Sequence, residues 1–320
     1  MDNKTIYKKT LTFSVRRLLW DIGSFIVITL LAAGGFFIAT KLSNNGLIGF
    51  IIGLAVGILL VVIASHFISY VFKAGQIAMM TKGIAEGKLP EDVYAEGKKI
   101  VKERFLTVAA YYVVTNAIRG IFNQLGRLIT SVGEAIGGDS GGAIGSAISS
   151  VIQTIVRYLC DCCLGWVFYC ADKSAVKATL EGAVLFFRHG KTFAKNMGRV
   201  FGMGTISFIV IGGVFFGIFY LIAMAFPDAF ADLARMIAES GDDVPEFLTN
   251  AQNLMLVMSG IGGVCMWGII HSAFVRPFVL VGVLRNFIES GKTETITEND
   301  LSELDKKSSK FKKLHEKAEA

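Results

Sequence analysis

Long apolar stretches constrain this chain more than any other feature of its sequence. An α-helix of roughly 20 apolar residues crosses a bilayer core about 30 Å thick. Stretches of that length recur along the chain, and the predicted spans are residues 22–41, 47–72, 105–132, 143–171, 201–226 and 254–284. With 53% hydrophobic and 18% charged residues, the chain also departs from the composition of a soluble domain. We predict an all-α integral membrane protein, a polytopic bundle of about six transmembrane helices.

The distribution of lysine and arginine predicts the orientation of these spans. Basic residues of short loops accumulate on the cytoplasmic side of a membrane. With six spans, one side carries 26 lysines and arginines and the other carries only Arg235. Both termini are therefore predicted to be cytoplasmic, in a multi-pass protein of the cell membrane. Omitting the third and fourth spans together preserves this sidedness, so a four-span protein is the main alternative.

Three segments follow from this topology: a cytoplasmic or interfacial lead-in (1–21), a transmembrane domain (22–286) and a basic cytoplasmic tail (287–320). The external segment 227–252 holds six acidic residues against one arginine, and its apolar residues recur at helical spacing. This pattern predicts an amphipathic helix on the outer surface.

The tail begins with a capping-box pattern, Thr297-x-x-Asp300, ahead of an amphipathic stretch rich in lysine. It is predicted either to bind anionic lipid headgroups through its lysines or to form a soluble tail.

Glycines at helical spacing predict how the spans pack. Small residues let helix backbones approach closely where no hydrophobic force acts between the helices. The second span carries Gly49, Gly53 and Gly57 on one face, and the fifth span carries Gly213 and Gly217. We expect these faces to pack within the chain, and a homo-oligomer formed through them is the alternative.

The fourth span has a polar stripe, and ionisable residues at membrane depth are functional candidates by default. Its members follow at steps of three or four residues: Ser146, Ser150, Gln153, Arg157 and Asp161. Arg157 and Asp161 are spaced to form an i,i+4 ion pair. The stripe is predicted either to line a substrate path or to hold helices together through an interhelical network.

Three further residues join the candidate substrate path. Arg119 lies in the third span, eight residues before Arg127, and either faces the same cavity as Arg157 or belongs to a helix in the membrane plane within 105–133. His271 follows Trp267 by one helical turn in the sixth span. For His271, a hydrogen-bonded structural role and a proton-relay or ligand role both remain open.

No enzymatic, metal or nucleic-acid function is predicted. The Gly138-Asp139-Ser140-Gly141-Gly142 segment, with His271, is similar to a rhomboid-like intramembrane protease. However, Ser140 is expected at the outer surface and His271 about 25 Å deeper, too far apart for a nucleophile and its base. The fourth span also ends in clustered cysteines, which predict free thiols, with palmitoylation as an alternative: Cys160, Cys162, Cys163 and Cys170.

Gly145-Ser146, then Ile155-Val156-Arg157 and Cys162-Cys163, lead to Gly190-Lys191-x-Phe193-x-Lys195. This stretch resembles the C-terminal part of the choline transporter-like family, over about residues 145–220 and 258–290. The resemblance implies transport of a choline-like or other small solute, with cation–π contacts available from Trp166, Tyr169 and Trp267.

We therefore predict a transporter or permease for a small solute, with cations among the candidates, without a cofactor, and with the stripe of the fourth span lining the path. The alternatives are a non-catalytic membrane scaffold or assembly factor and, more remotely, the rhomboid-like protease.

Overall fold

The computed structural model describes residues 1–43, 45–106, 108–137, 142–239 and 245–319. Within these ranges the backbone alone is described for 125–137, 142–152 and 190–199, and for positions 43, 47, 66, 67, 69, 108 and 155. Every regular element in the described ranges is helical. The elements are α1 (Asn3–Ser43), α2 (Gly46–Ile68), a π-helical turn (Ser69–Lys73), α3 (Ala74–Glu86), α4 (Val93–Arg104), α5 (Val108–Gly137), α6 (Gly142–Tyr169), α7 (Ala175–Ser207), a second π-helical turn (Phe208–Gly212), α8 (Gly213–Met224), α9 (Pro227–Ala238), a 3₁₀ turn (Glu246–Leu248), α10 (Ala251–Ile270), a third π-helical turn (His271–Val275), α11 (Arg276–Lys292), α12 (Glu298–Lys307) and α13 (Ser309–Glu319).

Four continuous helical stretches are long and apolar enough to cross a membrane: Asn3–Leu42, Ile48–Glu86, Val200–Met224 and Ala251–Lys292. A fifth is added if α4 and the start of α5, which meet at a bend of 82°, form one broken span. These findings confirm the all-α, membrane-embedded class. The predicted third and fourth spans correspond to α5 and α6, so the count of six remains a prediction.

The described chain forms two compact units. Unit 1 consists of Met1–Met197 with Phe278–Ala320, and unit 2 consists of Gly198–Pro277.

In unit 1, helix α1 combines a protein-facing half with an apolar half. Its 41 residues make it about 60 Å long at 1.5 Å per residue, twice the thickness of a bilayer core. Near its start, Ile6 and Phe13 are buried, whereas Phe25, Leu30 and Phe37 farther along are each 65% exposed. No proline interrupts this stretch. The predicted lead-in, 1–21, forms the first half of the same helix.

The core of unit 1 lies away from these exposed apolar faces. Helix α3 is buried almost all round, and Met79 packs there with Phe13 and Val93. The second half of α6 and the part of α11 from Leu280 to Ile288 are also largely buried. Unit 1 thus has a helical core like that of a globular domain, joined to apolar helices whose large side chains remain exposed for lipid.

Glycines bring α1 and α2 together. A Cβ added at Gly49 would overlap the carbonyl oxygen of Gly35, and one added at Gly53 would overlap that of Leu31. A Cβ at Gly57 would come within 3.1 Å of the Cα of Ile28. The glycine face predicted on the second span is therefore a close helix–helix contact within the chain.

The glycines predicted to pack in unit 2, Gly213 and Gly217, make no close helix–helix contact within the described chain. A Cβ added at Gly213 or Gly217 would meet nothing within 4 Å among the described atoms. The close approach is made instead by Gly263, where a Cβ would lie 2.9 Å from the carbonyl oxygen of Gly212 and 3.0 Å from the nitrogen of Phe216. The π-helical turn at Phe208–Gly212 adds a residue to the helix and so rotates the face that follows it.

The tail folds against unit 1 through α12 and α13. The predicted capping box is confirmed at the start of α12, where Asp300 accepts a 2.7 Å hydrogen bond from the backbone nitrogen of Thr297. Leu304 and Phe311 are buried, and the Ser308 hydroxyl donates a 3.0 Å hydrogen bond to Gln124 of α5. The apolar face of the tail is therefore covered by protein, and its lysines remain exposed.

Candidate functional site

A cavity of about 310 Å³ lies in unit 1 between α2, the π-helical turn after it, α5 and α6. It could hold about ten water molecules at roughly 30 Å³ each, a volume at the lower end of small-molecule pockets. Apolar and polar side chains alternate around it: Val62, Ser65, Lys73, Tyr111, Tyr112, Thr115, Ile118, Arg119, Cys160, Asp161 and Leu164.

An ion pair joins two walls of this cavity. The Lys73 ammonium nitrogen lies 2.6 Å from a carboxylate oxygen of Asp161. The Asp161 side chain is only 3% exposed, whereas the Lys73 side chain is 30% exposed. Lys73 is the last residue of the π-helical turn Ser69–Lys73. Because such turns shift the facing of the residues around them, this one helps to aim Lys73 at α6.

Helix α5 supplies a polar face opposite this ion pair. Tyr111, Thr115 and Arg119 follow at steps of four residues, and all three line the cavity. The Thr115 hydroxyl donates a 2.9 Å hydrogen bond to the carbonyl of Tyr111. Tyr111 is 4% exposed, and its ring packs edge-on against Tyr70 and Phe105. The cavity wall is thus a fixed aromatic surface that carries a guanidinium one to two turns farther along.

Only part of the predicted stripe reaches this cavity. Asp161 lines it, whereas Gln153 and Arg157 are exposed and lie outside its lining. Helix α6 contributes Cys160, Asp161 and Leu164 to the lining, so the cavity borders only this later part of the helix. The side chains of Ser146 and Ser150 lie outside the described part of the chain.

Asp161 has an ion-pair partner that the sequence did not suggest. In addition to its i,i+4 spacing with Arg157, Asp161 makes a 2.6 Å ion pair with Lys73, which lies outside α6. Arg119, by contrast, lines the same cavity as Asp161. The expectation that Arg119 faces a polar cavity therefore agrees with its position, although Arg157 lies outside that cavity.

Trp267 and His271 belong to unit 2, where they converge on Ser207. The indole nitrogen of Trp267 donates a 3.1 Å hydrogen bond to the Ser207 hydroxyl, and His271 Nδ1 lies 3.0 Å from the same oxygen. The Ser207 hydroxyl in turn donates to the carbonyl of Gly204 at 2.8 Å. His271 opens the third π-helical turn, which ends two residues before Pro277, a residue that has no N–H for a helical hydrogen bond. This geometry favours the structural role for His271.

Two aromatic residues proposed for cation–π contacts face other partners. Trp166 is 4% exposed, and its ring packs edge-on against Phe287. The Lys292 ammonium lies 5.5 Å from the centre of the Tyr169 ring. Neither residue lines the cavity.

The most informative residue missed in the sequence is Lys73, which was assigned to a loop after the second span. A carboxylate within a membrane helix is costly unless it pairs with another group or faces a wet cavity, but the identity of its partner depends on which helices are neighbours. Tyr111, Tyr112 and Thr115 were missed because aromatic and hydroxyl residues are common in apolar helices.

The cysteines differ in their accessibility. Cys162, Cys163 and Cys170 are buried, Cys160 is partly exposed at the cavity, and Cys265 is exposed. Cys160 is therefore a native thiol from which access to the cavity can be measured. The serine of the rhomboid-like comparison, Ser140, lies outside the described residues.

Comparison of the chain with protein-family models, curated proteins and solved structures finds no match.

Proposed function

We propose that this protein binds a small polar solute in the unit 1 cavity and moves it across the membrane. The observation that supports this is a solute-sized space bordered by Lys73, Arg119 and Asp161. Ionisable side chains within membrane helices are costly and typically line substrate or ion pathways. A purely structural ion pair would not need a cavity or a second cation beside it.

The charge of the lining favours a solute with a negative group. Lys73 and Arg119 contribute two positive charges and Asp161 one negative charge, which leaves the lining at +1. A carboxylate or phosphate on the solute would meet the Arg119 guanidinium, which binds such groups in a bidentate geometry. The rings of Tyr111 and Tyr112 could contact a quaternary ammonium, so a zwitterion would suit the lining better than a simple cation.

The topology that accompanies this proposal has six spans, both termini in the cytoplasm, and the cell membrane as its location. In that arrangement α5 and α6 are the third and fourth spans, and the cavity lies toward their cytoplasmic ends. A solute carboxylate that approached Lys73 would compete with Asp161 for it, which gives binding a direct route to altering the contact between α6 and the π-helical turn.

Three probes of similar shape and different charge test the proposal. Choline is a cation, glycine betaine a zwitterion and 3,3-dimethylbutyrate an anion. In a Cys265→Ser background, Cys160 is the remaining accessible thiol. We expect betaine and 3,3-dimethylbutyrate to slow its modification by a charged thiol reagent, and choline to have little effect. Uptake of the labelled probes into proteoliposomes should follow the same order.

Arg119→Gln is the informative variant, because it removes one cation and keeps a polar side chain. We expect it to weaken protection of Cys160 about tenfold or more, since a hydrogen bond to a charged group contributes about 1.5–3 kcal/mol. Arg235→Gln is the matched control: Arg235 is exposed on α9 beside Asp232. Protection by choline alone would contradict the charge preference. No uptake of any probe above empty vesicles would refute transport.

A non-catalytic membrane scaffold is the second candidate, and the Lys73–Asp161 ion pair is the observation that favours it. At 2.6 Å this pair already neutralises the buried carboxylate and joins two helices, as a structural network would. Under this alternative the thiol of Cys160 remains reactive, but no solute protects it.

A further inference from the structure

The α12–α13 tail carries a convergent set of metal-ligating side chains that is separate from the cavity. Glu298, His315 and Glu319 each offer a ligand atom, and these atoms lie within 4.8 Å of one another. Glu298 is the first residue of α12 and Glu319 the last of α13. The two ends of the helical hairpin therefore meet at the imidazole of His315.

The distances are typical of ligands around one ion. His315 Nε2 lies 3.9 Å from a carboxylate oxygen of Glu298 and 3.7 Å from one of Glu319. Both separations are too long for hydrogen bonds. A tetrahedral Zn²⁺ with ligands at 2.0–2.1 Å has ligand atoms about 3.3 Å apart. Closing the gap requires only small movements of two glutamates whose side chains are 83% and 68% exposed.

The other nitrogen of His315 has the partner that metal-bound histidines normally have. His315 Nδ1 lies 2.9 Å from Asp305 Oδ2. A carboxylate can only accept, so this contact orients Nδ1–H toward Asp305 and turns Nε2 toward the two glutamates. A metal-ligating histidine almost always donates its second N–H to a carboxylate, carbonyl or water.

His315 is held in place by the groups around it, among them the Asp305 carboxylate, whose side chain is 22% exposed. His315 itself is only 9% exposed, so the imidazole is fixed while the glutamates close from solvent.

We propose that Glu298, His315 and Glu319 bind a divalent transition-metal cation, with Zn²⁺ as the best fit, and that Asp305 orients His315. One imidazole with carboxylates suits first-row divalent ions, whereas Mg²⁺ prefers oxygen ligands alone. Bound Zn²⁺ would connect the start of α12 to the end of α13 and so stabilise the folded form of the tail. This site is independent of the transport proposal.

Equilibrium dialysis of the full chain in detergent against ZnCl₂ tests the site, with an affinity tag that contains no histidine. We expect the full chain to bind one Zn²⁺ more than the His315→Gln variant does, and this binding to be insensitive to millimolar Mg²⁺. His315→Gln should weaken binding at least about tenfold. The double variant Glu298→Gln/Glu319→Gln should do the same, and it changes only exposed side chains, so its folding is preserved.

The matched control is Glu303→Gln/Glu316→Gln, which removes the same two charges from exposed positions of the same helices. It should bind Zn²⁺ as the unmodified protein does. Proteolysis of the tail provides a second measurement: at zinc 100 times above Kd, linkage predicts about a hundredfold slower cleavage through tail opening. Absence of Zn²⁺ binding, or equal binding by His315→Gln and the control, would overturn the proposal.

Discussion

Asp161 and Lys73 form one ion pair but stand in different surroundings. The carboxylate is 3% exposed and the lysine side chain 30% exposed, with its ammonium at a cavity. A buried charge that loses its partner is far more costly than one that can still reach water. The two residues should therefore respond unequally to substitution.

We expect Lys73→Met to destabilise the protein more than Asp161→Asn. Lys73→Met removes the ion pair of Lys73 with the buried Asp161 carboxylate, and breaking a buried pair costs about 3–5 kcal/mol. Asp161→Asn leaves the Lys73 ammonium beside the cavity. This change should lower the free energy of unfolding by about 1–2 kcal/mol. Thermal unfolding in detergent measures both. Equal effects, or a larger effect of Asp161→Asn, would contradict this assignment of burial.

At the scale of elements, helices α1 and α2 are held at backbone contact by glycine. A side chain at Gly49 would meet the carbonyl of Gly35, which is backbone and cannot rotate away. By contrast, Gly217 of α8 has open space where its Cβ would be. The same substitution therefore has opposite expected consequences in the two helices.

Gly49→Ala should destabilise by about 1–3 kcal/mol, the usual range for overpacking. Gly217→Ala should be neutral or stabilise by up to about 1 kcal/mol, because alanine favours the helix over glycine. The shift in unfolding temperature distinguishes the two outcomes. A neutral Gly49→Ala would mean that α1 and α2 do not approach as closely as described.

The start of α12 provides a pH dependence at the tail. Hydrogen bonds from the side chain and then the backbone of Thr297, with a further contribution from Arg188, lower the pKa of Asp300 below its ordinary 3.8. Because the folded tail favours the charged carboxylate, Asp300 stabilises α12 fully above about pH 4. This stabilisation is lost as the pH falls through the lowered pKa of Asp300.

Protection of α12 against hydrogen exchange, corrected for intrinsic rates, should hold from pH 7 to pH 5 and fall toward pH 3 and below. At pH 7, Asp300→Asn should already lower the free energy of opening α12 by about 1 kcal/mol, as the loss of other helix caps does. Glu303→Gln, an exposed change on the same helix, is the control. If the pH profile of Asp300→Asn is unchanged, other carboxylates cause the loss of protection in acid.

At the scale of the whole molecule, the four-span and six-span topologies differ in one loop. Six spans place residues 134–142 outside the cell, and four spans place them inside. Ser140→Cys in a Cys265→Ser background should therefore react with a membrane-impermeant thiol reagent added to intact cells. A cysteine in the tail, such as Ser302→Cys, should react only after the cells are opened. Protection of Ser140→Cys until lysis would support four spans.

The membrane class and the tail cap were predictable because each depends on short-range information. Apolar stretches of span length identify α1, α2, α8 and α10 without knowledge of their neighbours. Thr297 and Asp300 are three residues apart, so their mutual hydrogen bonding follows from helix geometry alone. The same holds for Gly49, Gly53 and Gly57, whose spacing of four places them on one face.

The candidate site was predictable only in part, because it depends on pairs of residues distant in sequence. Asp161 and Arg119 were recognised as ionisable groups in apolar helices. Which part of α6 borders the cavity depends on the neighbouring helices, and Gln153 and Arg157 lie outside that part. The π-helical turns, which shift a helical face by one residue, are equally invisible in the pattern.

The sequence by itself determined that this chain is a helical membrane protein and which helices are apolar, since hydropathy accumulates residue by residue. It also marked Asp161 as a candidate for an ion pair and offered Arg157 at i,i+4 spacing. It could not indicate Lys73, which is distant in the chain. Only the tertiary structure decided that Lys73 fills this role and that a cavity opens beside it, because both depend on which helices pack together.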